Sequence, residues 1–600
     1  MDAIQDRRRV YRPSVLHSGA PSDGPQLLAS LINLNTTLLD EATASPARIT
    51  LSPTTSIDQI IAEFPITEHL LAFRARERDC QNASWTVEAR QKLRTVFKME
   101  RFRVNQLEAI EATMHGQDVF VLMPTAWGKS LCFQLPAVCA GGRTTGLTVV
   151  IEPLISLIDD QVQALLEKGI DVETIHSDMP LPRANRIRHR LRHASKRPKL
   201  LYVTPEMIQT SVMNDILNVI YQQHHLARFV VDEAHCISEW GRDFRPAYRA
   251  LDVLRKNFPN VPIMALTGTA SKRVTNDVVT CLGIDGCVQL RQSFDRPNLN
   301  YVVKPKERNS LHDIAEAIMT KHNGETGIIY CRSRNDCDKI SQKLTNVYKI
   351  ASRAYHSGLA SHAKQKVLQD WQNGSCQVVV ATTAFGMGID KADVRFVIHH
   401  CLPRSLEGYY QETGRAGRDG SPADCILYYR YRDGEYLFTA IRNDGGLSVQ
   451  GKRAAEEGLR HVMQFCQNDI DCRRRQLLSY FDEEFDAQSC ESHCDNCRDT
   501  RPIVSHDITQ FSTTIITQLS NEMPCITRGQ LVDTIKGSRT AVVKKKNFHE
   551  LGLFELCKGW NGDCERLVDL MISKQYLTTY SARISYSWTQ EYLQVSILPQ

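Results

Sequence analysis

Between residues 85 and 401, short runs of apolar, β-branched residues alternate with longer stretches in which apolar positions recur every three or four residues. The short runs fall at 118–123, 148–151, 200–203, 229–232 and 263–267, then at 327–331, 377–381 and 395–399, and they predict strands. Continuous apolar strands separated by amphipathic helices predict parallel sheets covered on both faces. The span is too long for one such sheet, and Arg296-Pro297-Asn298 divides it, so two tandem α/β domains are expected. Beyond Asp433 the pattern turns helical and cysteine-containing as far as Cys497. The last hundred residues carry three helical patterns and an alternating run from Tyr580 to Val595 that predicts a β-hairpin. Residues 1–56 have no sustained apolar period and read as a disordered arm. Ile57, Ile60, Ile61, Phe64, Ile66, Leu70 and Leu71 predict one or two short helices broken at Pro65.

Composition narrows the classes. No apolar run approaches the roughly 18 residues of a membrane span, and the N-terminus lacks the apolar stretch of a secretion signal, so neither membrane insertion nor secretion is expected. The 19 cysteines sit mostly alone in apolar segments such as Leu131-Cys132-Phe133, the pattern of reduced thiols in a cytosolic or nuclear protein. A net charge of +5 leaves nucleic-acid binding to be read from local patches.

The first such chemistry is Pro124-Thr125-Ala126-Trp127-Gly128-Lys129-Ser130, between a strand and a helix. Backbone N–H groups there attract phosphates, Lys129 adds a cation and Ser130 can hold Mg²⁺. At the end of the run 229–232, Asp232 can coordinate Mg²⁺ and Glu233 can orient or deprotonate a water; the bland alternative is a pair of helix-capping acids. The segment Trp240-Gly241-Arg242-Asp243-Phe244-Arg245 interleaves aromatics and cations, suiting either stacking on a single strand or a buried core. Arg183, Arg186, Arg188, Arg190, Arg192, Lys196 and Arg197 form a basic stretch without an acid, read as a solvated face, a phosphate contact or an import signal. Lys544-Lys545-Lys546 is ambiguous in the same way. Cys472, Cys490, Cys494 and Cys497 have the spacing of a closed tetrahedral Zn²⁺ site, with His493 as an alternative ligand.

The run Asp232-Glu233-Ala234-His235 with Trp240 to Pro246 resembles the RecQ family of superfamily 2 DNA helicases, and the likeness extends from about residue 85 to 597. Further motifs follow in order. Phe102-Arg103-Val104-Asn105-Gln106 resembles the adenine-reading motif, implying that Gln106 reads the base edge and Arg103 stacks on it. Glu152-Pro153-Leu154 and Val203-Thr204-Pro205-Glu206 are similar to strand-contacting motifs, and Thr267-Gly268-Thr269 to the coupling motif. Tyr330-Cys331-Arg332-Ser333 and the stretch from Ala381 through Thr382 to Asp390 resemble second-domain DNA and nucleotide motifs. Tyr410-Gln411 to Arg415 and Arg418 resembles the arginine-finger motif. The helix over 459–466, Cys472 and Arg473 to Arg475 are similar to the zinc-binding subdomain, and 505–600 to the winged-helix region. There the resemblance implies a recognition-type helix near 527–535 and a wing hairpin whose Tyr586 and Trp588 either wedge a duplex apart or pack on the helices.

The resemblance implies an α/β protein with two tandem RecA-like parallel-sheet domains, followed by a helical zinc-binding subdomain and a winged-helix domain. The expected bounds are an arm at 1–84, motor domains at 85–295 and 296–435, a zinc subdomain at 436–504 and a winged helix at 505–600. The implied activity is an ATP-dependent DNA helicase using ATP, Mg²⁺ and Zn²⁺, moving 3′ to 5′ on single-stranded and forked DNA in nuclear repair, recombination and replication. Implied partners are a single-strand-binding protein and a type I topoisomerase. Two departures oppose it: Ala126 and Trp127 stand where the family carries glycines, and Glu152 replaces a small residue and adds negative charge near a DNA-facing loop. A weakened, DNA-binding paralogue with a structural or chromatin role is the alternative reading.

Overall fold

The computed structural model describes residues 84–124, 127–193, 195, 197–238, 245–386, 391–503, 506–522, 525–560, 563–585 and 588–596. The expected N-terminal arm and its short helices lie outside these residues. The first sheet contains β1 (Val119–Leu122), β2 (Leu147–Ile151), β3 (Val172–Ile175), β4 (Leu200–Val203), β5 (Leu226–Val231), β6 (Ile263–Thr267) and β7 (Val288–Arg291). Its order is β3-β4-β2-β5-β6-β1-β7, and every pair is parallel. Every residue of β1, β2, β4, β5 and β6 is buried, as a sheet covered on both faces requires.

The second sheet contains β8 (Leu299–Pro305), β9 (Thr326–Tyr330), β10 (Ser352–Tyr355), β11 (Val378–Ala381), β12 (Val394–His399) and β13 (Ala423–Tyr429), in the parallel order β10-β11-β9-β12-β13-β8. All eight strands expected from the apolar runs are present. Five more, β3, β7, β8, β10 and β13, complete the sheets.

The zinc-type module is built from helices Tyr431–Asn443, Val449–Gln467 and Arg473–Tyr480. It grips both halves of the motor. On the first-domain side, Lys272 N donates to Asp482 Oδ2 at 2.9 Å and Arg291 donates to the Phe481 carbonyl. Phe294 N donates to Glu483 Oε2 at 2.8 Å, and the Phe294 ring stacks on Phe481 at 4.4 Å. On the second-domain side, the buried Arg474 donates to Asp295 and to the carbonyls of Pro297 and Leu299, while Val303 N donates to Asp495 Oδ2 at 2.9 Å.

The last domain packs helices Thr509–Glu522, Arg528–Ile535 and Cys564–Ser573 against an antiparallel hairpin, β14 (Leu577–Ser585) and β15 (Trp588–Val595). Thr527 and Gln530 form a reciprocal capping box that fixes the start of Arg528–Ile535. A helix therefore forms where the recognition-type helix is expected, but the helix leading directly into the hairpin is Cys564–Ser573. Among the described residues, no helix is long and apolar enough to cross a membrane.

Candidate functional site

Both motor sheets are parallel, so their C-terminal edges gather the loops, which is where ligands bind open α/β sheets. From β1 the chain passes through Met123 and Pro124 into Gly128, Lys129 and Ser130, then into helix Leu131–Val138. Gly128 has φ +81°, and a β-carbon there would stand 2.5 Å from Gln106 Nε2. Both facts demand glycine. Gln106 is fully buried and donates to the carbonyls of Trp127 and Gly128 at 3.3 and 3.1 Å, while its Oε1 accepts from Arg103 N at 2.8 Å. The two residues expected to read adenine thus also shape the loop.

Trp127 packs against the first-domain core. This answers one of the two departures in the loop; Thr125 and Ala126 lie outside the described residues. Lys129 Nζ donates to the Met123 carbonyl at 3.3 Å, and Ser130 Oγ accepts from Gln161 Nε2 at 3.4 Å.

Asp232 and Glu233 follow β5, which lies beside β2. Asp232 is buried, and Glu233, in the left-handed region at φ 49°, donates its backbone N–H to Asp232 Oδ1 at 2.9 Å. Burial and then the neighbouring Glu233 push Asp232 up to about 6. Burial acts to raise Glu233 too, but its hydrogen bond and charge attraction with His235 prevail, helped by Lys129 and Arg415, and carry it down to about 2. The pair therefore splits into one weak and one strong acid, as division of labour in a carboxylate site requires.

Glu152 meets a second set of neighbours. Its carboxyl is 3% exposed, and burial followed by Asp232 and Glu233 pushes its pKa well above the carboxylate range. The reason is register: β2 ends beside β5, so the residue after Ile151 meets the carboxylates after Val231. It thus lies against the carboxylates of the nucleotide side and, in sequence, next to Pro153, to which Arg245 donates.

A path of close polar contacts leaves this cluster and reaches the second domain. His235 Nδ1 lies 3.3 Å from Glu233 Oε2 and 2.9 Å from Thr267 Oγ1. Thr267 Oγ1 donates to the Thr269 carbonyl at 3.2 Å, so the hydrogen between His235 and Thr267 belongs to the histidine. Thr269 Oγ1 then accepts from Gln411 Nε2 at 2.7 Å. Gln411 stands on helix Leu406–Thr413, capped by Ser405 and fastened by a buried 2.8 Å pair between His399 and Glu412. Sequence reading gave His235 no role; its signal was its place directly after the carboxylates.

Arg415 is 8% exposed, and its Nε has no partner among the described residues. The loop carrying it is held by Arg296, which donates to the carbonyls of Gly414, Ala416 and Gly417 at 3.5, 3.0 and 2.8 Å. Asn298 Nδ2 also donates to Gly417. These two residues had been read only as a domain divider. Arg418 directly follows Gly417 and is half-buried.

Of the expected DNA residues, Arg245 donates to the Pro153 carbonyl at 2.5 Å, and, three residues on, Tyr248 donates to the Asp232 carbonyl at 2.9 Å. Thr382 is half-buried at the end of β11, and its Oγ1 accepts from Ala384 N. Trp588 opens β15. Trp240, Arg242, Phe244, Asp390 and Tyr586 lie outside the described residues.

The four cysteines converge: their sulfurs all lie within 4.8 Å of one another, and Cys472 and Cys494 are 4.0 Å apart. Zn–S bonds of about 2.3 Å place tetrahedral sulfurs about 3.8 Å apart, so the set fits zinc. Hydrogen bonding from Cys472 holds the Cys494 thiol down at about 4, whereas burial first and then Cys494 push Cys497 up to about 12. His493 is outside this set. Its carbonyl instead accepts from Tyr301 N, at the end of the module that Arg473 ties to Asp495.

Sequence comparison agrees with this layout. The DEAD/DEAH box helicase family matches residues 103–278, the helicase conserved C-terminal domain 309–420, the RecQ zinc-binding family 431–498 and the RQC domain 502–596. The chain is 41% identical over 539 residues to the ATP-dependent DNA helicase hus2/rqh1 of Schizosaccharomyces pombe, covering 89% of this chain and 40% of that protein. It is 41% identical over 519 residues to the ATP-dependent helicase SGS1 of Saccharomyces cerevisiae, covering 85% and 36%. The chain thus spans well under half the length of these relatives. Against the putative ATP-dependent DNA helicase Q1 of Caenorhabditis briggsae it is 38% identical over 536 residues, covering 85% of this chain and 81% of that protein. With all four regions in order and most of a relative covered, the chain belongs to the RecQ family of DNA helicases.

Proposed function

We propose that the chain is an ATP-dependent helicase that moves 3′ to 5′ on single-stranded DNA and opens forked or recombination-type duplexes in nuclear repair, recombination and replication. The observation that carries the coupling of hydrolysis to movement is the path Glu233–His235–Thr267–Thr269–Gln411, which joins a strong-acid carboxylate on one motor domain to a helix on the other.

The residues fit ATP. Gly128 and the helix behind it offer the phosphate cradle, Lys129 is held only by a carbonyl that a phosphate can replace, and the orphaned Arg415 Nε calls for an acceptor. Gln106 and Arg103 take the base. Ser130 and Asp232 would hold Mg²⁺, which supplies charge neutralisation at the β and γ oxygens. Glu233, ionised throughout the neutral range, orients the attacking water, and Arg415 with Arg418 stabilises charge on the transferred group once the domains meet. Cys472, Cys490, Cys494 and Cys497 would hold a structural Zn²⁺.

Single-strand contact is assigned to Trp240, Arg242, Phe244, Arg245 and Thr382, and strand separation to Tyr586 and Trp588. A single-strand-binding protein and a type I topoisomerase remain the partners that the resemblance implies. The packing of Trp127 against the core removes one ground for the weakened-paralogue reading.

The test is strand displacement on forks with a 3′ or a 5′ tail, beside ATP hydrolysis with and without single-stranded DNA. Opening of the 3′-tailed fork alone is expected, with hydrolysis lost in Glu233→Gln. Absence of DNA-stimulated hydrolysis in the unmodified protein overturns the proposal.

A further inference from the structure

Helix Leu181–Arg192 lies on the outer side of the first domain, and its cations divide into two groups. Its apolar side, Ala184, Ile187 and Leu191, is buried in the first-domain core. Arg190 is neutralised by Asp171 at 2.5 Å and Glu173 at 2.9 Å. Arg197 closes the far end, donating to the Leu191 carbonyl at 2.7 Å and to Gln223 Oε1. These two have structural work.

Arg183, Arg186 and Arg192 are different. All three are exposed, and none meets a carboxylate among the described residues. Arg188 beside them reaches only Asn185, and His189 and His193 lie exposed on the same side with ring centroids 4.1 Å apart. Of the three arginines, only Arg192, in the last turn, is favoured by the helix dipole. Arg183 and Arg186 stand in its first two turns, where the helix dipole is itself positive. Arg183 with Arg186, Arg186 with Arg190 and Arg188 with Arg192 are like-charge pairs at spacings that repel. A charge kept against local cost points outward, to a partner.

Topology says where that partner runs. β3 and β4 are adjacent and parallel, with Ile175 paired to Val203. The loop 176–180, which opens the basic helix, therefore lies beside Thr204-Pro205-Glu206 after β4, one of the segments assigned to strand contact. Beyond Leu181 at its start the exposed face carries no aliphatic or aromatic anchor of the kind a protein interface centres on. It is a polar face of arginines with Asn185, His189 and His193 among them, which suits a phosphate backbone.

We propose that Arg183, Arg186 and Arg192 form an auxiliary phosphate track that takes up single-stranded DNA where it leaves the motor beside Thr204. The inference rests on the DNA-helicase reading and extends the strand's path beyond the cleft.

The test uses the full chain with all three arginines replaced by Gln and, separately, by Lys. Binding to oligo-deoxythymidine of graded length is measured across salt concentrations without nucleotide. Each lost phosphate contact to a single strand lowers the salt slope by about 0.7, so the Gln variant should lose about 2 and bind long strands about 10-fold more weakly. The Lys variant should keep the slope, and strands too short to leave the cleft should bind all three proteins alike. Equal slopes for the Gln variant and the parent at every length overturn the track, as does equal weakening on the shortest strands. A parent that binds with the expected length dependence yet hydrolyses no ATP on DNA overturns the helicase reading and leaves the track standing.

Discussion

Thr269→Val tests the path between the two motor domains at its narrowest point. The substitution keeps the shape of a buried side chain and deletes the one oxygen that accepts from Gln411 Nε2 at 2.7 Å. A neutral hydrogen bond is worth about 0.5 to 1.5 kcal/mol net, and about 1.4 kcal/mol is a factor of ten. If this bond helps bring Arg415 to the phosphates, DNA-stimulated kcat should fall about 3- to 10-fold, while unstimulated hydrolysis, ATP affinity and the melting temperature change little. The assay is steady-state hydrolysis with and without oligo-deoxythymidine, beside strand displacement per ATP consumed. Gln411→Ala should reproduce the defect, and the double variant should be no worse than the more affected single one, since both cut the same link. Additive losses, or full stimulation in Thr269→Val, would refute the reasoning.

Other outcomes follow from separate parts of the molecule. Gly128→Ala must place a β-carbon at φ +81° against Gln106, a backbone cost of about 1 to 2 kcal/mol before the clash, so ATP affinity should drop at least about 10-fold in a nucleotide titration. Arg296→Lys replaces a planar fork, whose two nitrogens reach three carbonyls, with a single-point ammonium that cannot match that geometry; it should lower kcat at least about 10-fold with little effect on ATP binding, as measured by steady-state kinetics. Glu152 has its pKa raised by folding, so its stabilising protonated form is present at low pH and lost as pH rises through the folded value. Glu152→Gln should therefore gain in melting temperature relative to the parent as pH rises, read by thermal melts across a pH series. Zinc analysis should find one ion per chain, and Cys494→Ser or chelation should unfold the cysteine module at lower temperature than the nucleotide site, read by calorimetry with and without ATP.

The sheets were legible wherever burial on both faces wrote an uninterrupted apolar run, as in β2 and β5. The strands that went unread show why the rest was not. β3 and β10 are four-residue edge strands, and β7, at the other edge, alternates half-buried with exposed residues, a weak pattern beside the helices around it. β13 is apolar enough to be found, but it follows a Gly- and Arg-rich loop that draws attention to chemistry instead of structure. The phosphate loop, the carboxylates and the cysteines were legible because their chemistry fixes short spacings. Thr269 and Gln411 meet across 142 positions, and Arg296 reaches its loop across about as many, distances over which no local pattern carries information. The carboxylate neighbours of Glu152 went unread because only strand order reveals that β2 ends beside β5.

The cysteine module clasps the first motor domain through residues 481–483 and the second through Arg474 and Asp495. A hinge confined to the interdomain peptide would swing freely, but this peptide is clamped from outside at Asp295, Pro297 and Leu299. The zinc-binding module is then a common mount for both halves of the motor, and any shift of one half against the other has to be taken up within it.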